Sequence, residues 1–119
     1  MFLRESGHLE GIEINPLGLI NKSVSTEVPQ GDILIEFCDS VLGKSTAKLN
    51  KSRNDLHKAL GSEAVSAASA IIGNYTKNDR IANGLGIPLP EMVMKQTNTL
   101  RDELGLNRFG SAMNSLRLN

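Results

Sequence analysis

"SEAVSAASAIIGNYTKNDRIANGLG", residues 62–86, carries the longest single periodicity in this chain of 119 residues. Ala64, Ala68, Ile71, Tyr75, Ala82 and Leu85 recur at three- and four-residue steps, the spacing of one face of an α-helix. Asn78 is the polar member of that stripe. It reads either as a hydrogen-bonded packing residue or as a polar group turned toward a partner. The first half of the stripe is built of small side chains, which lets another helix approach closely. Gly73 permits the same, at about 1 kcal/mol of helix propensity. Ser62 is expected to cap the free amides of the first turn, with Glu63 near the positive end of the helix dipole. The stretch ends in "NGLGIPLP", residues 83–90. A glycine there supplies a left-handed cap, and Pro88 and Pro90 forbid continuation. The central Thr76-Lys77-Asn78-Asp79-Arg80 reads largely as a solvated face.

Working outward, "DILIEFCDSVLGKS", residues 32–45, places Leu34, Phe37, Cys38, Val41 and Leu42 at helical steps, with Gly43 as the stop. Pro29 fits the opening turn of that helix, and Asp32 favours its dipole. Between the two segments Leu49, Leu56, Ala59 and Leu60 are sparser anchors. They predict a short helix from an N-cap at Ser52 through Leu60, ended by Gly61. Beyond the turn, "PEMVMKQTNTLRDELG", residues 90–105, sets Val93, Leu100 and Leu104 on one face and closes at Gly105. The tail offers Leu106, Phe109, Met113 and Leu116 as docking residues. The first thirty residues break at Pro16 and Gly18 and read as an irregular arm, with a short strand at 11–14.

The expected organisation is one all-α domain over residues 1–119 with about four helices: an arm at 1–30, a helical core at 31–105 and a docking tail at 106–119. Composition agrees. Aromatic residues are 3% of the chain and Trp is absent, so the core must be aliphatic, which suits helix-on-helix packing better than a β-sandwich. Thirteen basic and thirteen acidic residues leave no net charge. Bulk electrostatics therefore offer nothing to phosphate backbones or anionic lipid, and no nucleic-acid or membrane partner is expected. Neutrality also removes one deterrent to self-association. No apolar run approaches the about 20 residues of a membrane span. Arg4, Glu5 and His8 interrupt the opening residues, so these do not read as a secretory segment. A single cysteine allows no internal disulfide, which fits a reducing cytoplasmic compartment.

"LGSEAVSAASAIIGN" followed by "YTKNDRIANGLGIPL", residues 60–89, resembles the C-terminal half of the alkylhydroperoxidase D-like / carboxymuconolactone decarboxylase superfamily. The likeness is carried by Tyr75, by Arg80-Ile81-Ala82-Asn83 and by Gly84-Leu85-Gly86, and the helical layout extends it over residues 31–105. It implies a helical-bundle fold and an oligomer. The redox members of that family use a Cys-x-x-Cys pair followed by a histidine, because thiols one helical turn apart can close a disulfide while a nearby base activates the attacking one. This chain has no such pair, so no catalytic residue transfers.

Cys38 and His57 are the remaining catalytic candidates. Cys38 beside Phe37 on an apolar face reads first as a small core residue. Glu36 and Asp39 nearby disfavour a thiolate. His8 and His57, far apart and without carboxylates at ligand spacing, do not make a metal site, and no cofactor motif is present. "GLG" at 84–86 lies at the negative end of a helix and does not read as a phosphate loop. Two readings follow. One is a non-catalytic homo-oligomer for protein interaction or small-molecule binding. The other is an oxidoreductase or decarboxylase of the resembled family with an unconventional site at Cys38 or His57.

Overall fold

The 25-residue stretch that opened the sequence analysis forms the helix expected of it. In a computed structural model, which describes Gly11 and residues 13–116, the longest helix is α3, Ser62–Leu85. It is preceded by α1, Gly31–Leu42, and α2, Thr46–Leu60. It is followed by α4, Glu91–Gln96, α5, Asn98–Glu103, and a last turn of helix, α6, Met113–Leu116. Short 3₁₀ turns lie at Pro16–Leu19, Leu106–Arg108 and Gly110–Ala112. No strand occurs among the described residues, so the fold is all-α. The strand expected at 11–14 does not form over residues 13–14, and residue 12 lies outside the described residues.

Several boundaries differ from the sequence reading, each for a local reason. Helix α2 begins six residues before Ser52: Ser45, in extended backbone, accepts from the Lys48 N–H at 3.3 Å. Ser52 is instead buried inside the helix, its hydroxyl donating to the Leu49 carbonyl at 3.2 Å. The two serines are alike as capping residues, and only the position of the preceding turn separates them. Ser62 is the first residue of α3 rather than its cap, a place taken by Gly61 without any side-chain bond. Helix α1 starts at Gly31, two residues after Pro29, behind Gln30 in the left-handed region. The helix expected to run from Pro90 to Gly105 is split at Thr97, whose hydroxyl donates to the Val93 carbonyl at 2.7 Å. The stop after α3 is as anticipated: Gly86, at φ 66°, donates its N–H back to Ala82 and Asn83, a geometry only glycine adopts without strain.

Within the irregular arm, residues 15–26 form a closed loop. The Asn15 N–H donates to the Thr26 carbonyl at 3.0 Å. Asn15 and Asn21 side chains accept from the Leu17 and Ser23 amides, so turn chemistry holds the intervening residues. Thr26 sits buried between two glycines. A Cβ on Gly18 would fall 2.8 Å from the Thr26 nitrogen, and one on Gly31 would clash with the Thr26 hydroxyl. The loop thus seats on the N-terminal turn of α1 because both contacts lack side chains.

Helices α1, α2 and α3 pack on one another, with Phe37 and Leu56 fully buried between them. Met94 is the third buried apolar side chain, in a separate cluster of α4, α5 and the tail. Helix α3 spans both clusters and contributes no buried residue. Its half-buried residues, Val65, Ala68, Ile72 and Thr76 with Ala64 and Ala82, define its packed face. The predicted stripe is therefore divided: Ile71, Tyr75 and Leu85 face solvent. Asn78 is exposed too, so it is no packing residue within the chain. The tail docks differently from expectation as well. Leu106, Phe109, Met113 and Leu116 are all exposed, and the tail is hydrogen-bonded to the preceding elements through buried Ser115, whose hydroxyl accepts from the Leu89 N–H at 2.8 Å, and through Asn107, which accepts from Arg101.

Candidate functional site

The most built polar constellation surrounds Arg101, which the sequence reading passed over. Its side chain is 8% exposed. Nε donates to the Thr97 hydroxyl at 3.1 Å and Nη1 to Asn107 Oδ1 at 2.7 Å. Nη2 donates to the Met94 carbonyl at 2.8 Å and to Asn98 Oδ1 at 3.3 Å. Asn107 is held in turn by its amide, which donates to Asp102 Oδ1 at 2.8 Å. The planar guanidinium fork thereby ties α4, α5 and the turn at Leu106–Arg108 into one unit. All four acceptors are neutral. Thr97 and Asn98 stand four and three residues before Arg101, a spacing at which helical side chains meet. That was a legible signal, but an arginine at such a position is far more often solvated.

Arg101 lines a cleft of about 460 Å³ between the C-terminal half of α3 and the tail, within the size range of small-ligand sites. Ile87, Leu89, Met94 and Phe109 supply apolar walls; Asp79, Asn83 and Asn107 add polar groups. Such a cleft suits a small molecule with an apolar body and a hydrogen-bonding edge. A smaller apolar recess of about 170 Å³ lies between the arm loop and α1, lined by Pro16, Leu19, Val28 and Leu34 among others. A polar one of about 250 Å³ is bounded by Lys22, Glu36, Asp39 and Lys48.

Cys38 and His57 line none of these three clefts. Cys38 is only half-buried on α1 rather than sealed in the core. Its thiol pKa is nonetheless pushed up, first by partial burial and then by the Asp39 carboxylate beside it. Glu36, which the sequence suggested would act with Asp39, instead reaches toward Lys22, 3.4 Å away. His57 is exposed in the last turn of α2, where a cation complements the helix dipole. His8 lies outside the described residues. Among the described residues no group of three or more His, Cys, Asp or Glu side chains is arranged to hold a metal. No helix there is long and apolar enough to cross a membrane. Comparison with protein-family models, with curated proteins and with solved structures finds no match for this chain.

Proposed function

We propose that this is a non-catalytic, self-associating helical protein of the cytoplasm that works through protein interaction, with the Arg101 cleft as a seat for a small ligand. We take it as a degenerate relative of the alkylhydroperoxidase D-like proteins, on the strength of the Tyr75 to Gly86 segment quoted above. One observation carries the assembly. The chain exposes 8746 Å², against about 6,300 Å² for a folded monomer of its mass. Among the described residues the buried apolar side chains are Phe37, Leu56 and Met94, while Ile71, Tyr75, Ile81, Leu85, Ile87, Met92 and Phe109 are more than half exposed. A Cα radius of gyration of 15.9 Å, compared with about 13–14 Å for a compact domain of this length, points the same way. The raised Cys38 thiol supports the non-catalytic side of the reading, because the thiolate is the nucleophile.

Light scattering coupled to size-exclusion chromatography tests it. At 50–100 µM chain (roughly the range in which standard interfaces are saturated), the expected mass is a multiple of 12.9 kDa. A monomer at those concentrations refutes the proposal. Cysteine-dependent turnover of a hydroperoxide by the wild-type protein restores the enzymatic reading instead.

A further inference from the structure

The solvent side of α3 is not a random scatter of apolar residues. Ala67, Ile71, Asn74, Asn78, Ile81 and Leu85 are all exposed and follow one another at steps of four, three, four, three and four. That is the heptad spacing of a helix–helix seam. It lies on a different side of the helix from the half-buried Val65, Ala68, Ile72 and Thr76. Ile71 is 58% exposed, Ile81 53% and Leu85 73%, with Tyr75 alongside at 65%. Among the described residues no helix covers this seam.

The order of residues along the seam is symmetric about Thr76. Ala67 and Leu85 lie nine positions on either side, Ile71 and Ile81 five, Asn74 and Asn78 two. We infer that α3 pairs antiparallel with α3 of a second copy of this chain, about a two-fold axis at Thr76. This deepens, and rests on, the self-association proposed above. In that pairing Ile71 meets Ile81 of the other copy. Asn74 meets Asn78, so each amide finds a donor and an acceptor. Ala67 meets Leu85, small against large. A parallel pairing sets every residue against itself, leaving a gap at Ala67 and aligning the helix dipoles in the same sense. The paired asparagines fix the register, because a slipped alignment leaves amides against isoleucine. Net charge is zero, so no overall repulsion opposes the approach. Lys77, whose ammonium donates to Asn74 Oδ1 at 3.0 Å, flanks the axis and lies near its own copy, the one like-charged contact in the arrangement.

The test separates the two claims. Wild-type protein is compared by sedimentation equilibrium with the double variant Ile71→Glu/Ile81→Glu and with Ser66→Glu, a control at another exposed position of α3. The seam variant is expected to weaken association by at least ~100-fold, as two buried charges at the centre of an interface do, while the control matches wild type. A monomeric wild type overturns both the self-association and the seam. A wild-type oligomer that the seam variant leaves intact overturns the seam alone. Cysteine cross-linking in a Cys38→Ala background gives a readout independent of added charge. A mixture of I71C and I81C chains is expected to form mixed disulfide dimers, while I81C alone, about 15 Å from its own copy along the axis, does not. Efficient cross-linking of I81C alone overturns the antiparallel arrangement.

Discussion

Replacing Arg101 with methionine removes the guanidinium while keeping an unbranched side chain of good helix propensity. The consequences can be worked bond by bond. The Met94 carbonyl receives its bond from Nη2 in a buried setting, and leaving it without that donor costs about 1–3 kcal/mol. The other three acceptors, on Thr97, Asn98 and Asn107, are half-buried or exposed and turn to water, so each lost bond costs nearer about 0.5 kcal/mol. The thioether recovers part of the apolar contact of the arginine stem. The expected net loss is about 2–4 kcal/mol, a large share of the stability of a domain this size. Arg101→Lys is expected to recover little. A single ammonium cannot reach acceptors spread along α4, α5 and the following turn as a planar fork does. Urea unfolding followed by circular dichroism measures both variants, at one fixed chain concentration because assembly is linked to stability. Amide exchange locates the damage, which should fall on residues 91–116 and spare α1 and α2. A methionine variant within about 0.5 kcal/mol of wild type, or a lysine variant equal to it, refutes the argument that the fork holds this end together.

Two further perturbations probe the arm and the thiol. Gly18→Ala places a Cβ 2.8 Å from the Thr26 nitrogen and 2.9 Å from the Val24 carbonyl oxygen. Both are backbone atoms, so the loop must shift, at an expected loss of about 1–3 kcal/mol. Gly73→Ala, with nothing within 4 Å of the new Cβ, should instead stabilise α3 by about 0.5–1 kcal/mol; equal effects in thermal melts refute the contrast. For Cys38, burial and Asp39 raise the thiol pKa above its ordinary value, so the fold favours the neutral form. Alkylation by iodoacetamide should then reach half its plateau rate at a higher pH than in the unfolded chain. Stability should fall as pH rises through the ordinary thiol range, since the unfolded chain ionises first. Asp39→Asn should undo only part of the shift, burial being the larger cause. An alkylation midpoint at or below that of the unfolded chain contradicts this.

Helix α3 was legible from sequence because its signals are local. A 3–4 periodicity, an acidic first turn and the Gly-x-Pro-x-Pro stop each act within a few residues, and they fixed Ser62–Leu85 and the left-handed Gly86. The same locality explains the errors. Ser45 and Ser52 carry the same capping chemistry, and only the position of the preceding turn decides between them, leaving Ser52 buried inside α2. Periodicity reports that a helix has an apolar face but not what covers it. The stripe through Ile71, Tyr75 and Leu85 read as one helix-packing face, yet the half-buried side of α3 runs through Val65, Ala68 and Ile72 and leaves those three residues exposed. Arg101 shows the converse. Its spacing to Thr97 and Asn98 does not by itself separate it from a surface arginine, and its burial follows from the turn after Gly105 bringing Asn107 back against α5. The loop at residues 15–26 likewise closes only because Gly18 and Gly31, thirteen residues apart, both lack a side chain where Thr26 must fit. Sequence by itself determined the helices, since backbone hydrogen bonds and caps are short-range. Tertiary structure alone decided which faces meet, because that depends on side chains distant in the chain competing for the same space.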